Sequence, residues 1–366
     1  MKIFYDGVIY LHQIQNSVNR LFEELSARIP AVNSGGEVYF HKFPSTFGTA
    51  LIKRDHYMLS GIGPILKKLD TCLLPGTVNS FRPDIFHTSF YRVPESINCP
   101  SIVTVCDMEA EKYPDTTNFG VSPDFLKMKR GAMEKADRII AVSSGIRRDI
   151  SDIYSISEDK ISVVYPAASD TFMPASDDEK TALKSKYGLQ DRFILFVGKR
   201  SGYKNFSTLI KAYARWENNR EIGLVCIGPK WNTAEIEIIN VNGLGNKIRL
   251  FEFVSDNELK AFYSFADAFV HTSKYEGFST HLVEALACGT PVIAASCSSS
   301  PEIAIDAAQY FDPESEEELI ESLDKAIFNK KLQKSMSERG LKRKTCFSWD
   351  KTAWDTFEVY KKLLHG

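Results

Sequence analysis

Residues 193–197, Phe-Ile-Leu-Phe-Val, carry no polar side chain at all. A short run of this kind fits a strand buried on both faces, the situation of a parallel sheet with helices packed on either side. Similar short apolar runs occur at 2–6, 37–43, 84–89, 101–106, 138–143 and 160–165, and again at 222–227, 247–251, 268–271, 291–295 and 308–311. Amphipathic stretches separate them. Val18, Leu21, Phe22 and Leu25 recur at helical spacing, and 123–136, 144–154 and 348–364 read as helices. The last of these carries Trp349, Trp354, Phe357, Tyr360 and Leu364. Ser255-Asp-Asn-Glu258 ahead of Leu259, Phe262 and Tyr263 is a capping box that opens a further helix. Strands alternating with helices predict parallel α/β architecture.

A chain of 366 residues is long enough for two such domains at about 150 residues each. The alternation lapses over 167–185 into Pro, Ser and Asp, which marks that stretch as the expected linker. Lys+Arg 45 against Asp+Glu 47 gives a net charge of −2. A protein held to nucleic acid by bulk attraction is normally basic, so no nucleic-acid partner is expected. The seven cysteines never fall in a C-x-x-C spacing, which leaves no legible zinc site or disulfide framework and suits reduced thiols in the cytoplasm. Asp6 interrupts the apolar start before a signal-peptide core forms, and no uncharged apolar stretch approaches 18 residues.

Open parallel sheets bind ligands at the carboxyl ends of their strands, so the chemistry is expected in the loops that leave them. The loop after the apolar strand reads Gly198-Lys199-Arg200-Ser201-Gly202-Tyr203-Lys204-Asn205 and runs into a helix near Phe206. Two glycines allow close backbone approach, three cations offer charge to an anion, and a helix N-terminus adds unpaired amides. The loop has neither Walker A nor G-x-G-x-x-G spacing; its position after a wholly apolar strand favours phosphate binding over a solvated basic turn. A second constellation is Lys274-Tyr-Glu276-Gly277-Phe278-Ser279-Thr280-His-Leu-Val-Glu284, closed by Gly289. Here one carboxylate lies in a turn and the other two turns into a helix, so they can accept hydrogen bonds from separate hydroxyls of one ligand. The helix amides beside Ser279 and Thr280 can face an anion.

At these residues the sequence resembles family four of the retaining glycosyltransferases, in its mannosyltransferase-like branch. Tyr-Glu276-Gly-Phe…Glu284-Ala-Leu-Ala-Cys-Gly-Thr-Pro-Val resembles the E-x7-E signature of that family. Ser298-Ser-Ser-Pro301-Glu302, Asp306, Tyr310-Phe-Asp-Pro313, Val142-Ser143, Lys160 to Tyr165 and Phe347-Ser-Trp349 fit as well. The resemblance implies the GT-B fold, two Rossmann-like doubly wound domains facing across a cleft. It implies an acceptor-binding domain at 1–172, a nucleotide-sugar-binding domain at 173–347, and a terminal helix at 348–366 crossing back onto the first. Lys204 would then meet the donor diphosphate, with Lys199 standing where an arginine is usual. Glu276 would contact the transferred sugar, Glu284 the ribose hydroxyls, and the amides from Gly277 to Thr280 the sugar and phosphate.

Two departures from the family pattern bear on the site. Asn16-Ser17 replaces a Gly-Gly pair, which makes close approach of the donor phosphate at Ser17 less assured. Val103-Thr-Val-Cys106-Asp107 ends in cysteine where the family has histidine. A thiol is a weak hydrogen-bonding partner that behaves as a small hydrophobe, which favours a donor sugar lacking a 6-hydroxyl, a 6-deoxyhexose or a pentose, unless Cys106 instead marks lost activity.

The expected reaction moves a sugar from a nucleoside-diphosphate sugar, GDP-mannose-like or a 6-deoxy or pentose donor, to a glycan or lipid-linked acceptor of surface polysaccharide such as O-antigen or lipopolysaccharide. Lys199, Arg200 and Lys204 would stabilise the leaving diphosphate without a metal or other cofactor, because no D-x-D triplet is present. Retention is expected by same-face attack, with Asp107 a candidate for positioning. Residues 41–69 interleave lysines with apolar side chains, which leaves peripheral contact with the inner face of a membrane open beside a plain solvated helix. The alternatives are a catalytically impaired nucleotide-sugar-binding subunit, or an epimerase or phosphorylase on the same architecture.

Overall fold

The computed structural model is described for residues 1–7, 17–41, 63–116, 122–200 and 202–365, with side chains in the same ranges except 17 and 63–71. The chain divides into two compact units. The first comprises Met1–Glu111, Gly120–Pro166 and Trp349–Gly366, and the second Lys112–Phe119 and Ala167–Ser348.

Each unit is built on a six-stranded sheet in which every pairing is parallel. The first holds β1 (Lys2–Tyr5), β2 (Glu37–Phe40), β3 (Ile85–Thr88), β4 (Ser101–Val105), β5 (Arg138–Ala141) and β6 (Ile161–Val163), ordered β2-β1-β3-β4-β5-β6. The second holds β7 (Phe193–Val197), β8 (Gly223–Ile227), β9 (Ile248–Phe251), β10 (Ala268–His271), β11 (Val292–Ala295) and β12 (Ala308–Phe311), ordered β12-β11-β10-β7-β8-β9. All twelve fall on the apolar runs expected from the sequence, trimmed by up to three residues where the ladder stops. The inner strands β3, β4, β7, β8, β10 and β11 are buried at every residue, whereas the edge strand β2 is not. That contrast is why β7 and β11 carry no polar residue, although β3, β4 and β10 also bury His87, Thr88, Ser101, Thr104 and His271.

In both sheets the winding reverses beside the first strand, between β1 and β3 and between β7 and β10. Loops leaving two such strands diverge to opposite faces, which opens a crevice at their carboxyl ends. In the second sheet those two loops are the ones after Val197 and after His271, the same loops the sequence marks for chemistry.

The expectation of a linker over 167–185 is corrected. Ser176 Oγ accepts from the Glu179 amide at 3.2 Å, and Glu179 Oε2 accepts from the Ser176 amide at 2.8 Å, so this polar stretch opens the helix Asp177–Tyr187. Acids in its first turn suit the helix dipole. Upstream, Phe172 is buried with its ring 6.0 Å from Tyr263, and the Ala175 amide donates to Ser264 Oγ at 3.0 Å. Low hydrophobicity here reflects capping, not a tether.

The helix Trp349–His365 belongs to the first unit. Trp349, Phe357 and Tyr360 of its aromatic stripe are buried, while Trp354 is 51% exposed. The Tyr360 hydroxyl lies 3.1 Å from that of Tyr5 and 2.6 Å from His87 Nδ1, and His87 Nε2 lies 2.8 Å from Thr104 Oγ1. Thr352 Oγ1 donates to the Tyr165 carbonyl at 2.7 Å. The helix is thus registered against β1, β3 and β4 by a buried polar chain in which each member has a partner. Among the described residues no helix is long and apolar enough to cross a membrane.

Candidate functional site

The loops after β7 and β10 are stitched together. The Lys274 amide donates to the Tyr203 carbonyl at 2.7 Å, and Thr272 Oγ1 donates to the Lys204 carbonyl at 2.7 Å. Lys204 Nζ meets Glu276 Oε1 at 2.5 Å, with the two side chains 18% and 16% exposed. Backbone conformation supports the approach. Gly198 has φ +118°, closed to residues with a Cβ, and a Cβ on Gly228 would lie 2.4 Å from the Gly198 carbonyl oxygen. Gly228 is therefore a requirement of the turn that only the folded chain reveals.

Glu276 is held from several sides. Its Oε1 also accepts from Ser273 Oγ at 2.8 Å. Its backbone is clasped by Ser298, whose Oγ accepts from the Glu276 amide at 2.9 Å and donates to the Glu276 carbonyl at 2.7 Å. Burial alone would raise this carboxyl, but the Lys204 ammonium, His271 and the Lys204 and Ser273 hydrogen bonds outweigh it and hold it below its ordinary value. It stays ionised and positioned. His271 is itself held neutral, pushed down to about 4 chiefly by burial, and its Nε2 is buried without a hydrogen-bond partner.

The helix Thr280–Ala287 begins directly after Ser279. Ser279 is buried, its Oγ has no hydrogen-bond partner and it makes no capping bond, so it leaves the first-turn amides to other acceptors. Thr280 takes the first helical position, and the Phe278 ring packs 5.7 Å from Phe347. Gly277, between Glu276 and Phe278, is buried. Glu284, buried on this helix, accepts at Oε2 from the Tyr263 hydroxyl at 3.0 Å and from His281 Nδ1 at 2.9 Å.

Arg200 requires a correction. Its side chain is 1% exposed, with Nε on Glu235 Oε1 at 3.1 Å, Nη2 on Glu235 Oε2 at 3.2 Å, further bonds to the Pro229 and Lys230 carbonyls, and its guanidinium 4.4 Å from the Trp231 ring centre. Unpairing a charge buried this deeply is costly, so Arg200 braces the turn instead of meeting an anion. Of the three cations expected to share that work, exposed Lys199 and partly exposed Lys204 remain.

In the first unit, Cys106 and Asp107 leave the end of β4. Burial, then Asp107, push the Cys106 thiol up to about 12, so it is neutral and a poor nucleophile. Asp107 is half exposed, and its carbonyl accepts from Lys129 Nζ at 2.7 Å. Lys129 is fully buried, 2.9 Å from the Glu111 carboxylate and 5.3 Å from the Tyr91 ring centre. Ser17 starts the helix Ser17–Val32, but its side chain lies outside the described residues, as do Ser201, Asn16 and most of the basic and apolar stretch at 41–69.

The spacing signals gave no site role to Ser298 or Tyr263 and did not single out Ser273, Gly228, Glu235 or Lys129. Each acts through a partner more than a dozen residues away, except Ser273, whose i,i+3 bond to Glu276 was open to discovery.

Residues 178–343 match the family model for glycosyl transferases group 1, and residues 35–192 the model for glycosyltransferase family 4. The chain belongs to the family-four glycosyltransferases. The chain is 26% identical over 267 residues to the serotype-specific mannosyltransferase WbdA of Escherichia coli, covering 71% of this chain and 32% of that one. It is 27% identical over 237 residues to the O-antigen chain mannosyltransferase B of Escherichia coli, covering 63% of this chain and 62% of that one. The matches thus span about a third and about three-fifths of those relatives' lengths. Its fold is that of Anabaena HepE, solved in complex with UDP and glucose, with TM-score 0.76, 16% identity and 99% and 100% of the two chains covered. Such neighbours place the chain in the GT-B fold.

Proposed function

We propose that this glycosyltransferase moves a sugar, with retention, from a nucleoside-diphosphate donor to a glycan or lipid-linked acceptor of a surface polysaccharide. The observation that carries the reading is the contact between the lysine turn and the Glu276 loop, directly ahead of an uncapped helix. The likeness to mannosyltransferases, one of them an O-antigen chain mannosyltransferase, supports a GDP-mannose-like donor.

As the donor's anomeric C–O bond breaks, negative charge grows on the β-phosphate and positive charge on the sugar ring. Lys199, Lys204 and the amides at Gly277 to Thr280 stabilise the first, and the Glu276 carboxylate faces the second. Groups fixed where charge develops lower the barrier more than they tighten ground-state binding. The acceptor attacks from the face the diphosphate leaves, and the departing phosphate oxygen takes the acceptor proton. Asp107 is the first-unit candidate for orienting that hydroxyl, Ser17 contributes to donor binding, and Glu284 binds the ribose hydroxyls. No divalent ion takes part in this scheme, so turnover persists in EDTA. Neutral Cys106 favours a donor without a 6-hydroxyl, and a panel in which GDP-mannose outperforms GDP-rhamnose and GDP-fucose removes that feature. Contact with the inner face of a membrane, where a lipid-linked acceptor resides, belongs to the same proposal.

The test is a thermal-shift screen of GDP, UDP, ADP and dTDP, followed by assay of the stabilising nucleotide's sugars for release of nucleoside diphosphate with an acceptor. A ligand that binds only the native state raises the melting temperature. Stabilisation without turnover points to the binding-subunit alternative; no stabilisation by any of the four overturns the donor reading.

A further inference from the structure

The helix that starts at Thr280 carries a histidine with no part in the scheme so far. His281 Nδ1 lies 2.9 Å from Glu284 Oε2 and 3.5 Å from the Tyr263 hydroxyl, and its ring is 38% exposed. Its other nitrogen is turned toward the lysine turn, since a Cβ at Gly198 would lie 3.4 Å from His281 Nε2. Burial, then Glu284, raise the Tyr263 phenol well above its ordinary range, so Tyr263 keeps its proton and donates it to Glu284. A carboxylate oxygen only accepts, so His281 Nδ1 must carry a hydrogen. That fixes the ring. In the neutral form Nε2 holds a lone pair toward Gly198, and only the imidazolium presents an N–H there.

Resting on the donor reading above, we infer that His281 is a proton-coupled ligand of the donor diphosphate. When the diphosphate enters, Nε2 takes one proton from solvent and donates the new N–H to a non-bridging phosphate oxygen, while Nδ1–H stays on Glu284. This supplies a cation on the helix side of the anion, where Arg200 is committed to Glu235. The charged groups on the neighbouring elements are Glu284 on the same helix, Glu276 after β10, and Lys199 and Lys204 on the turn after β7. His271 on β10 is held neutral near and above pH 7, and Tyr263 keeps its proton there, so neither adds a proton of its own in that range.

Isothermal titration of the stabilising nucleoside diphosphate at pH 7.5, in buffers of different ionisation enthalpy, reads the proton directly. That pH lies above the terminal phosphate titration of about 6. The wild type is expected to take up a substantial fraction of one proton on binding, and His281→Gln none. The variant is expected to bind roughly tenfold more weakly at pH 6.5, the scale of a charge-assisted hydrogen bond, with the gap closing by pH 9. Binding by the wild type without proton uptake overturns the assignment of His281 alone, and needs no variant. Equal proton uptake by a folded His281→Gln variant overturns it too. If no nucleoside diphosphate binds at any pH, the donor reading falls and this assignment with it.

Discussion

Two lysine–glutamate pairs beyond the carboxyl ends of strands, Lys129–Glu111 in the first unit and Lys204–Glu276 in the second, serve different ends. Lys129 and Glu111 are 0% and 4% exposed, capped by the Tyr91 ring and by the Tyr154 hydroxyl on Glu111 at 2.7 Å. Lys204 and Glu276 are 18% and 16% exposed and lie between two loops. The first pair has no open side, so its charges are spent on one another and on the Asp107 carbonyl. The second keeps a solvent face through which a ligand can exchange partners with either residue. Accessibility, rather than the presence of a charge, separates a brace from a binding group. Arg200 with Glu235 falls on the brace side of that line.

The sharpest way to break the contrast is Lys129→Met. It leaves Glu111 buried against Tyr154 alone, and removal of one partner of a buried pair costs about 3–5 kcal/mol, to be read by urea unfolding. Arg200→Met is expected to act in the same manner, lowering stability while the folded fraction keeps its nucleotide affinity. Glu276→Gln should do the reverse. We expect turnover to fall by about 10²–10³-fold, as for other lost transition-state contacts, with the melting temperature nearly unchanged. Similar losses of stability from Glu276→Gln and Lys129→Met would erase the distinction.

Acid offers a smaller, graded test. His87 is pushed down to about 3 and His271 to about 4, both by burial. Each is neutral when folded but binds a proton when unfolded below about pH 6.5, so stability is expected to fall as pH drops from 6.5 toward 4. The limiting slope is about 1.4 kcal/mol per pH unit for each histidine, and a melting series on His271→Asn should show a shallower decline. Glu276, held below its ordinary value, adds loss in the same direction at the acid end.

The smallest effect concerns neither pair. Ile305 has φ +49° and ψ −107°, a conformation hostile to a β-branched side chain, and is 52% exposed. Ile305→Gly relieves that strain and is expected to raise stability by about 1 kcal/mol, visible as a higher melting temperature.

The strands were legible because a parallel sheet writes itself as short apolar runs, and burial on both faces leaves little room for other residues at 193–197 or 292–295. The lysine loop and the Glu276–Glu284 segment were legible as charged local patterns directly after apolar strands, and the E-x7-E signature only through the family resemblance. What sequence could not disclose was pairing at a distance. Nothing near Arg200 says that Glu235, thirty-five residues on, will take its charge, and nothing near Gly198 announces Gly228. The helix at 177–187 was a different kind of miss. Ser176 and Glu179 carry the same capping signal recognised at Ser255 and Glu258, but without the apolar stripe that drew attention there.

The registration of Tyr360 with Tyr5 and His87 has a practical corollary for anyone dissecting the protein. The amino-terminal unit is not a continuous stretch of chain, and a polypeptide ending at Pro166 would lack the helix that satisfies His87. Such a fragment should be poorly behaved alone and should recover when a peptide spanning residues 349–365 is supplied in trans, which makes the pair a natural system for split-protein complementation.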